Sequence, residues 1–134
     1  MKAGWLGLVA ALLLSGCTTL RWVKTTVDGP NGVRVTLEGM RDDIFELEVI
    51  NYGSAPILVD RDRVVLDTPK GTRARVPGGL GSLYTIGPSG HHAVHVRFDL
   101  SGLRGGDRIG ICFADAITSG QERLAVPPIE LAVE

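Results

Sequence analysis

The chain has 134 residues with a formal charge of −1 and 44% hydrophobic side chains, enough for one domain and hardly for two. Its 14 basic and 15 acidic side chains leave no overall excess to draw the protein onto nucleic acid. Two cysteines, Cys17 and Cys112, are too few for a fold built on disulfides.

Lys2 precedes an apolar run over residues 5–14, about ten residues long, the size of a signal-peptide core. A spanning helix needs about 20 apolar residues, and Ser15, Thr18, Thr19 and Arg21 end the run well before that. Its last residues, Leu14-Ser15-Gly16-Cys17, place a branched side chain three positions before a cysteine, with two small residues between. This stretch resembles the lipobox of bacterial lipoproteins. The resemblance implies that residues 1–16 are removed as a signal peptide and that the Cys17 thiol carries a diacylglyceryl group. It also implies palmitate-type acylation of the new amino terminus. Three acyl chains exceed the two membrane signals that stable anchoring takes. Thr18, where an inner-membrane protein of the enterobacterial pattern has Asp, implies the outer membrane and a domain facing the periplasm. Residues 17–32 are then expected to be the lipidated terminus and a short tether, and residues 33–134 the folded domain.

Within that domain the hydrophobic period is two. Val33, Val35 and Leu37 alternate with polar residues, as do Phe45, Leu47 and Val49 with Glu46 and Glu48, which predicts half-buried strands. Shorter strands are expected at residues 57–59 and 64–66. The charge run Asp60-Arg61-Asp62-Arg63 between them lacks the further oxygen ligands, Gly and Glu of a calcium loop and reads as a solvated bend. Val94, Val96 and Phe98 form one strand face, Ile109, Ile111 and Phe113 another, and Ile129, Leu131 and Val133 a last one. Opposite Ile109 and Ile111, the small residues Gly110, Cys112 and Ala114 suit close packing by a loop or partner.

Residues 77–90, with glycine at 78, 79, 81, 87 and 90, form the longest stretch without strand signal. A phosphate-binding loop would need a following Gly-Lys-Ser/Thr and a helix, and neither is present. A connection crossing between two sheets, pinned to the core by Tyr84 and Ile86, is expected instead. His91, His92 and His95 are the only histidines. On a helix His91 and His95 would share a metal-binding face, but the alternation of Val94, Val96 and Phe98 argues strand. There they stand about 13 Å apart at about 3.3 Å per residue, too far for one zinc with ligand bonds of about 2.0–2.1 Å. Cys112, in an apolar strand, is expected to be an inert buried thiol.

Seven to nine short strands separated by turn signals predict an all-β antiparallel sandwich or barrel. The turns at Asn51-Tyr52-Gly53-Ser54, Pro69-Lys70-Gly71 and Gly87-Pro88-Ser89-Gly90, with the valine-rich strand that follows the last, resemble immunoglobulin-like domains of bacterial secreted lipoproteins. That likeness implies an immunoglobulin-like β-sandwich behind the lipoprotein signal peptide and brings no catalytic residues, metal or cofactor. No Gly-x-Ser-x-Gly elbow occurs, and the carboxylates Asp42-Asp43 and Glu46/Glu48 sit at a turn and on a strand face. The expected function is therefore non-catalytic: a lipid-anchored module that binds an envelope protein partner or supports envelope structure. A periplasmic metal-binding module using His91, His92 and His95, or an envelope hydrolase, is the alternative.

Overall fold

The computed structural model describes residues 20–79 and 81–134. The expected signal peptide (residues 1–16) and the expected lipidation site Cys17 lie outside the described residues. Thirteen short strands are found among the described residues: β1 (Leu20–Arg21), β2 (Thr25–Asp28), β3 (Val33–Arg41), β4 (Ile44–Asn51), β5 (Ile57–Asp60), β6 (Val65–Thr68), β7 (Gly71–Ala74), β8 (Leu83–Ile86), β9 (His91–Arg97), β10 (Arg108–Cys112), β11 (Ile117–Ser119), β12 (Glu122–Arg123) and β13 (Ile129–Val133). They form three antiparallel sheets, none of them closed, in the orders β1-β13-β10-β6-β7, β12-β11-β5-β8 and β2-β3-β4-β9.

The strand number exceeds seven to nine because short strands such as β1, β8, β11 and β12 add to those read from the alternation. Strand β6 pairs with β7 and β10, while β5, just before it in the chain, pairs with β8 and β11. The break is a single 3-10 turn, Arg61–Arg63, whose preceding Asp60 side chain accepts the Asp62 N–H at 3.0 Å. Across it the Asp60 N–H donates to the Ala116 carbonyl and the Arg61 N–H to that of Ser82, each at 2.7 Å. The ladder of β5 therefore runs on both of its edges up to the start of the turn, as buried backbone groups require.

One contiguous core collects the inward faces of all three sheets. The alternation read from the sequence holds there: Phe45, Leu47, Val49, Val94, Val96, Phe98, Ile109, Ile111, Phe113, Ile129, Leu131 and Val133 are all buried. Two expectations are corrected. Within residues 17–32, where the alternation of Val23, Thr25 and Val27 allows a first strand, Thr25–Asp28 pairs with β3, and Leu20–Arg21 pairs with β13 as well, so strand pairing begins before residue 33. A two-residue strand carries no alternation from which it could be read. The irregular stretch is also shorter than expected, since residues 83–86 form β8 on the edge beside β5. The remaining link does cross from one sheet to the next, and Ile86 is buried with Tyr84 packed on the core.

At one end of the molecule the loops are tied together by Asn51. Its amide nitrogen donates to the carbonyls of Ala55 (2.8 Å) and Ile86 (3.1 Å), and its side-chain oxygen accepts the Gly53 N–H at 2.9 Å. Its backbone bonds Gly90 and Ser89, and next to it the Tyr52 N–H reaches the Gly32 carbonyl at 2.8 Å. The turns cross so closely that a Cβ on Gly53 would stand 2.2 Å from the Asn31 carbonyl oxygen. Gly32, at φ +76°, is held in the left-handed region that side chains resist.

Candidate functional site

The charge run expected to be a solvated bend contains a buried arginine. Arg61 is only 7% exposed. Its Nη2 donates to the carbonyls of Gly78 (2.9 Å) and Gly81 (2.7 Å), and its Nη1 to the carbonyl of His95 (3.2 Å). Its Nε is buried without a hydrogen-bond partner among the described residues. A guanidinium in this setting is held by neutral carbonyls, with no carboxylate on it, a demanding arrangement for a buried charge. Gly79 is required beside it: at φ +79° a Cβ there would come within 3.1 Å of both Nη atoms.

Around Arg61 lies a cleft of about 240 Å³ whose walls include Ile44, Arg75, Pro77, His95 and Arg97. Arg75 pairs with Asp62 at 2.6 Å through Nε and donates to the Gly78 carbonyl at 3.0 Å through Nη1. Arg97 pairs with Asp43 at 3.1 Å. The rim cations are thus already matched, and the glycine segment turns its oxygens towards the two arginines. A phosphate cradle needs the reverse polarity, with N–H groups facing the ligand. The chemistry of this cleft is that of a clamp that fixes the crossing segment against β9.

The same clamp ties down part of a sheet edge. β9 is the longest edge strand. On its outer side the His95 carbonyl is taken by Arg61 and the Arg97 carbonyl by the Val76 N–H at 2.8 Å. These ties engage two carbonyl oxygens in the C-terminal half of the edge, which restricts it as a template for another strand.

The histidines lie on β9, a strand as the alternation argued. His91 and His95 point to the outer face, where they neighbour Glu48 and Glu46. The His91 Nδ1 stands 3.9 Å from the Glu48 carboxylate. His92 faces the other way and stacks on Tyr84 with ring centroids 4.4 Å apart. Among the described residues no group of three or more His, Cys, Asp or Glu side chains is gathered closely enough to hold a metal ion.

The chain matches no protein-family model, no curated protein and no solved structure. The small face over Gly110 is a hollow of about 330 Å³ walled by Asp67, Pro69, Arg108, Pro128 and Glu130, with Cys112 at its floor. Burial, and secondarily the negative charge of Asp67, pushes the Cys112 thiol above its ordinary pKa. A raised pKa keeps the nucleophilic thiolate scarce at neutral pH. Native protein at pH 7.5 is expected to react with a maleimide at least tenfold more slowly than protein unfolded in urea. Equal rates in the two states would show a reactive thiol and revive a redox role.

Proposed function

We propose that the protein is a membrane-anchored periplasmic lipoprotein whose domain is a non-catalytic partner-binding or structural module of the cell envelope. The observation that carries this reading is the position of Leu14-Ser15-Gly16-Cys17 only three residues before Leu20, which is already paired with Val133. Three residues span at most about 10 Å, so an acylated Cys17 would hold the domain directly on its membrane, with the outer membrane favoured by Thr18. We read the fold as an immunoglobulin-like sandwich. Supporting this, β3, β4 and β9 stand together in one sheet while β6, β10 and β13 adjoin in another, with the chain passing between them by way of β5 after β4 and directly after β9. Such crossings are those of Greek-key sandwiches. The longest edge has its His95 and Arg97 carbonyls already engaged, and we take the cross-bonded loops joined at Asn51 as the docking surface for an envelope protein.

Two measurements test the reading. Mass spectrometry of the processed protein should find residues 1–16 absent and acyl chains on Cys17. In cells fed labelled palmitate, Cys17→Ala should lose the label completely. Label retained by that variant, or a mature chain without acyl mass, would make the anchor reading wrong. Photo-crosslinkers at Tyr52 and Ser54 should capture a discrete envelope protein, and an absence of adducts from both positions would count against docking by these loops.

A further inference from the structure

The net charge of the chain hides a local arrangement at the end opposite the Asn51 loops. Between β1 and β2 the link Arg21-Trp22-Val23-Lys24 places two apolar side chains between two cations. Trp22 is 36% exposed and Val23, at 69%, is the most exposed large hydrophobic side chain described. Neither is a loose end. Leu20, just before them, is buried and paired with Val133, and the Thr25 hydroxyl donates to the Val23 carbonyl at 2.9 Å. Lys24 is fixed by Glu38 at 3.1 Å. The link is therefore held in a set conformation that turns its apolar pair outward.

The neighbouring strands add charge. Arg21 and Arg108 are both register partners of Ala132, one on each side of β13, so they project from the same outer face of the sheet. With strands about 4.8 Å apart they stand about 10 Å from each other. Together with Trp22, Val23, Glu130 and Ala132 they wall a shallow groove of about 540 Å³. The corner thus combines three cations (Arg21, Lys24 and Arg108) and two carboxylates (Glu38 and Glu130) with an exposed indole and an exposed valine.

We propose that this corner lies against the headgroups of the membrane that holds Cys17, with Trp22 and Val23 in the interfacial layer and Arg21 and Arg108 on anionic lipid. The proposal rests on the lipid-anchor reading and goes beyond it by assigning the domain one orientation. Its occupant follows from distance. Trp22 is five residues from Cys17 and so no more than about 17 Å away, whereas the interfacial layer on one side of a bilayer is about 5–8 Å deep. Any anchored molecule keeps this corner within reach of that layer. Indoles favour the headgroup level, and arginine and lysine are drawn to anionic lipid.

The test uses the full-length gene product, processed in cells, purified with its lipid and reconstituted in vesicles. The chain has two tryptophans, Trp5 and Trp22, and removal of residues 1–16 would leave Trp22 as the sole indole. Vesicles contain about one-third anionic phosphatidylglycerol, and their phosphatidylcholine is brominated near the top of the acyl chains. Emission of Trp22 is expected to fall at least twofold relative to unbrominated vesicles. Arg21→Glu combined with Arg108→Glu should recover at least half of the lost emission while leaving the acyl mass unchanged. Should that pair fail to fold by circular dichroism, Arg21→Gln with Arg108→Gln replaces it. An acylated protein whose Trp22 is not quenched overturns the orientation and leaves the anchor standing. Quenching that the charge changes do not alter overturns the assignment of Arg21 and Arg108 to anionic lipid. A chain without acyl mass overturns the anchor and this proposal with it.

Discussion

Phe98→Ala is expected to lower the unfolding free energy by about 3–5 kcal/mol, the range for truncating a buried aromatic side chain. Phe98 is wholly buried and meets Phe45 edge to face, with ring centroids 5.8 Å apart and planes at 63°. The site has little freedom to collapse around a cavity. The Phe98 N–H is bonded to the Asp43 carbonyl at 3.1 Å, and the preceding Arg97 carbonyl is held by Val76. The upper half of the range follows, because residual cavity volume sets the spread of such costs. Urea titration reads the effect as a lower midpoint with unchanged slope. A variant that unfolds at the parent's urea concentration would mean that β9 does not turn this face inward.

The second large effect is expected at Arg61. Arg61→Ala removes three hydrogen bonds and a long buried stem, leaving the His95 carbonyl open on the β9 edge. The carbonyls of Gly78 and Gly81 lie on exposed residues and regain water, so the penalty falls short of three orphaned acceptors. A net loss of about 2–4 kcal/mol follows once the packing of the stem is counted. Lysine, a point charge without the planar fork, should not restore it. The local signature is more specific than the global one: trypsin should cut after Arg75 at least tenfold faster in Arg61→Ala than in the parent. Equal cutting rates and an unchanged urea midpoint would show that the clamp holds nothing.

The burial of Arg61 also shows where the sequence was and was not legible. Strand faces such as Phe45-Leu47-Val49 and Ile129-Leu131-Val133 could be read because alternation is written into neighbouring residues. Arg61 sits in a four-residue charge run, and composition alone sends it to solvent. The groups that hold it are 17, 20 and 34 residues away in the chain, beyond any local pattern. One signal did exist. Ile57 and Val59 are buried, and position 61 continues their phase, so period two points the arginine inward even though its type argues otherwise. The bend at 61–63 is legible from its charge run, but the change of sheet there is not, because a strand that changes sheets keeps its alternation on both sides of the break. β1 leaves no such signal, because two residues establish no period at all.

The loops joined at Asn51 carry a consequence for binding. A surface segment that must be ordered when a partner arrives gives up part of its contact energy as lost conformational freedom. Here the turns at 29–32, 51–55 and 87–90 are already cross-bonded, and at Gly32 and Gly53 the backbones pass too closely to admit a side chain. A molecule docking at this end meets a rigid mould and not a folding reaction. Association there should show a heat-capacity change set by the contact area alone, and free and bound loops should superimpose closely. Selectivity would come from shape: a ligand that does not fit the mould has no second conformation of these turns to find.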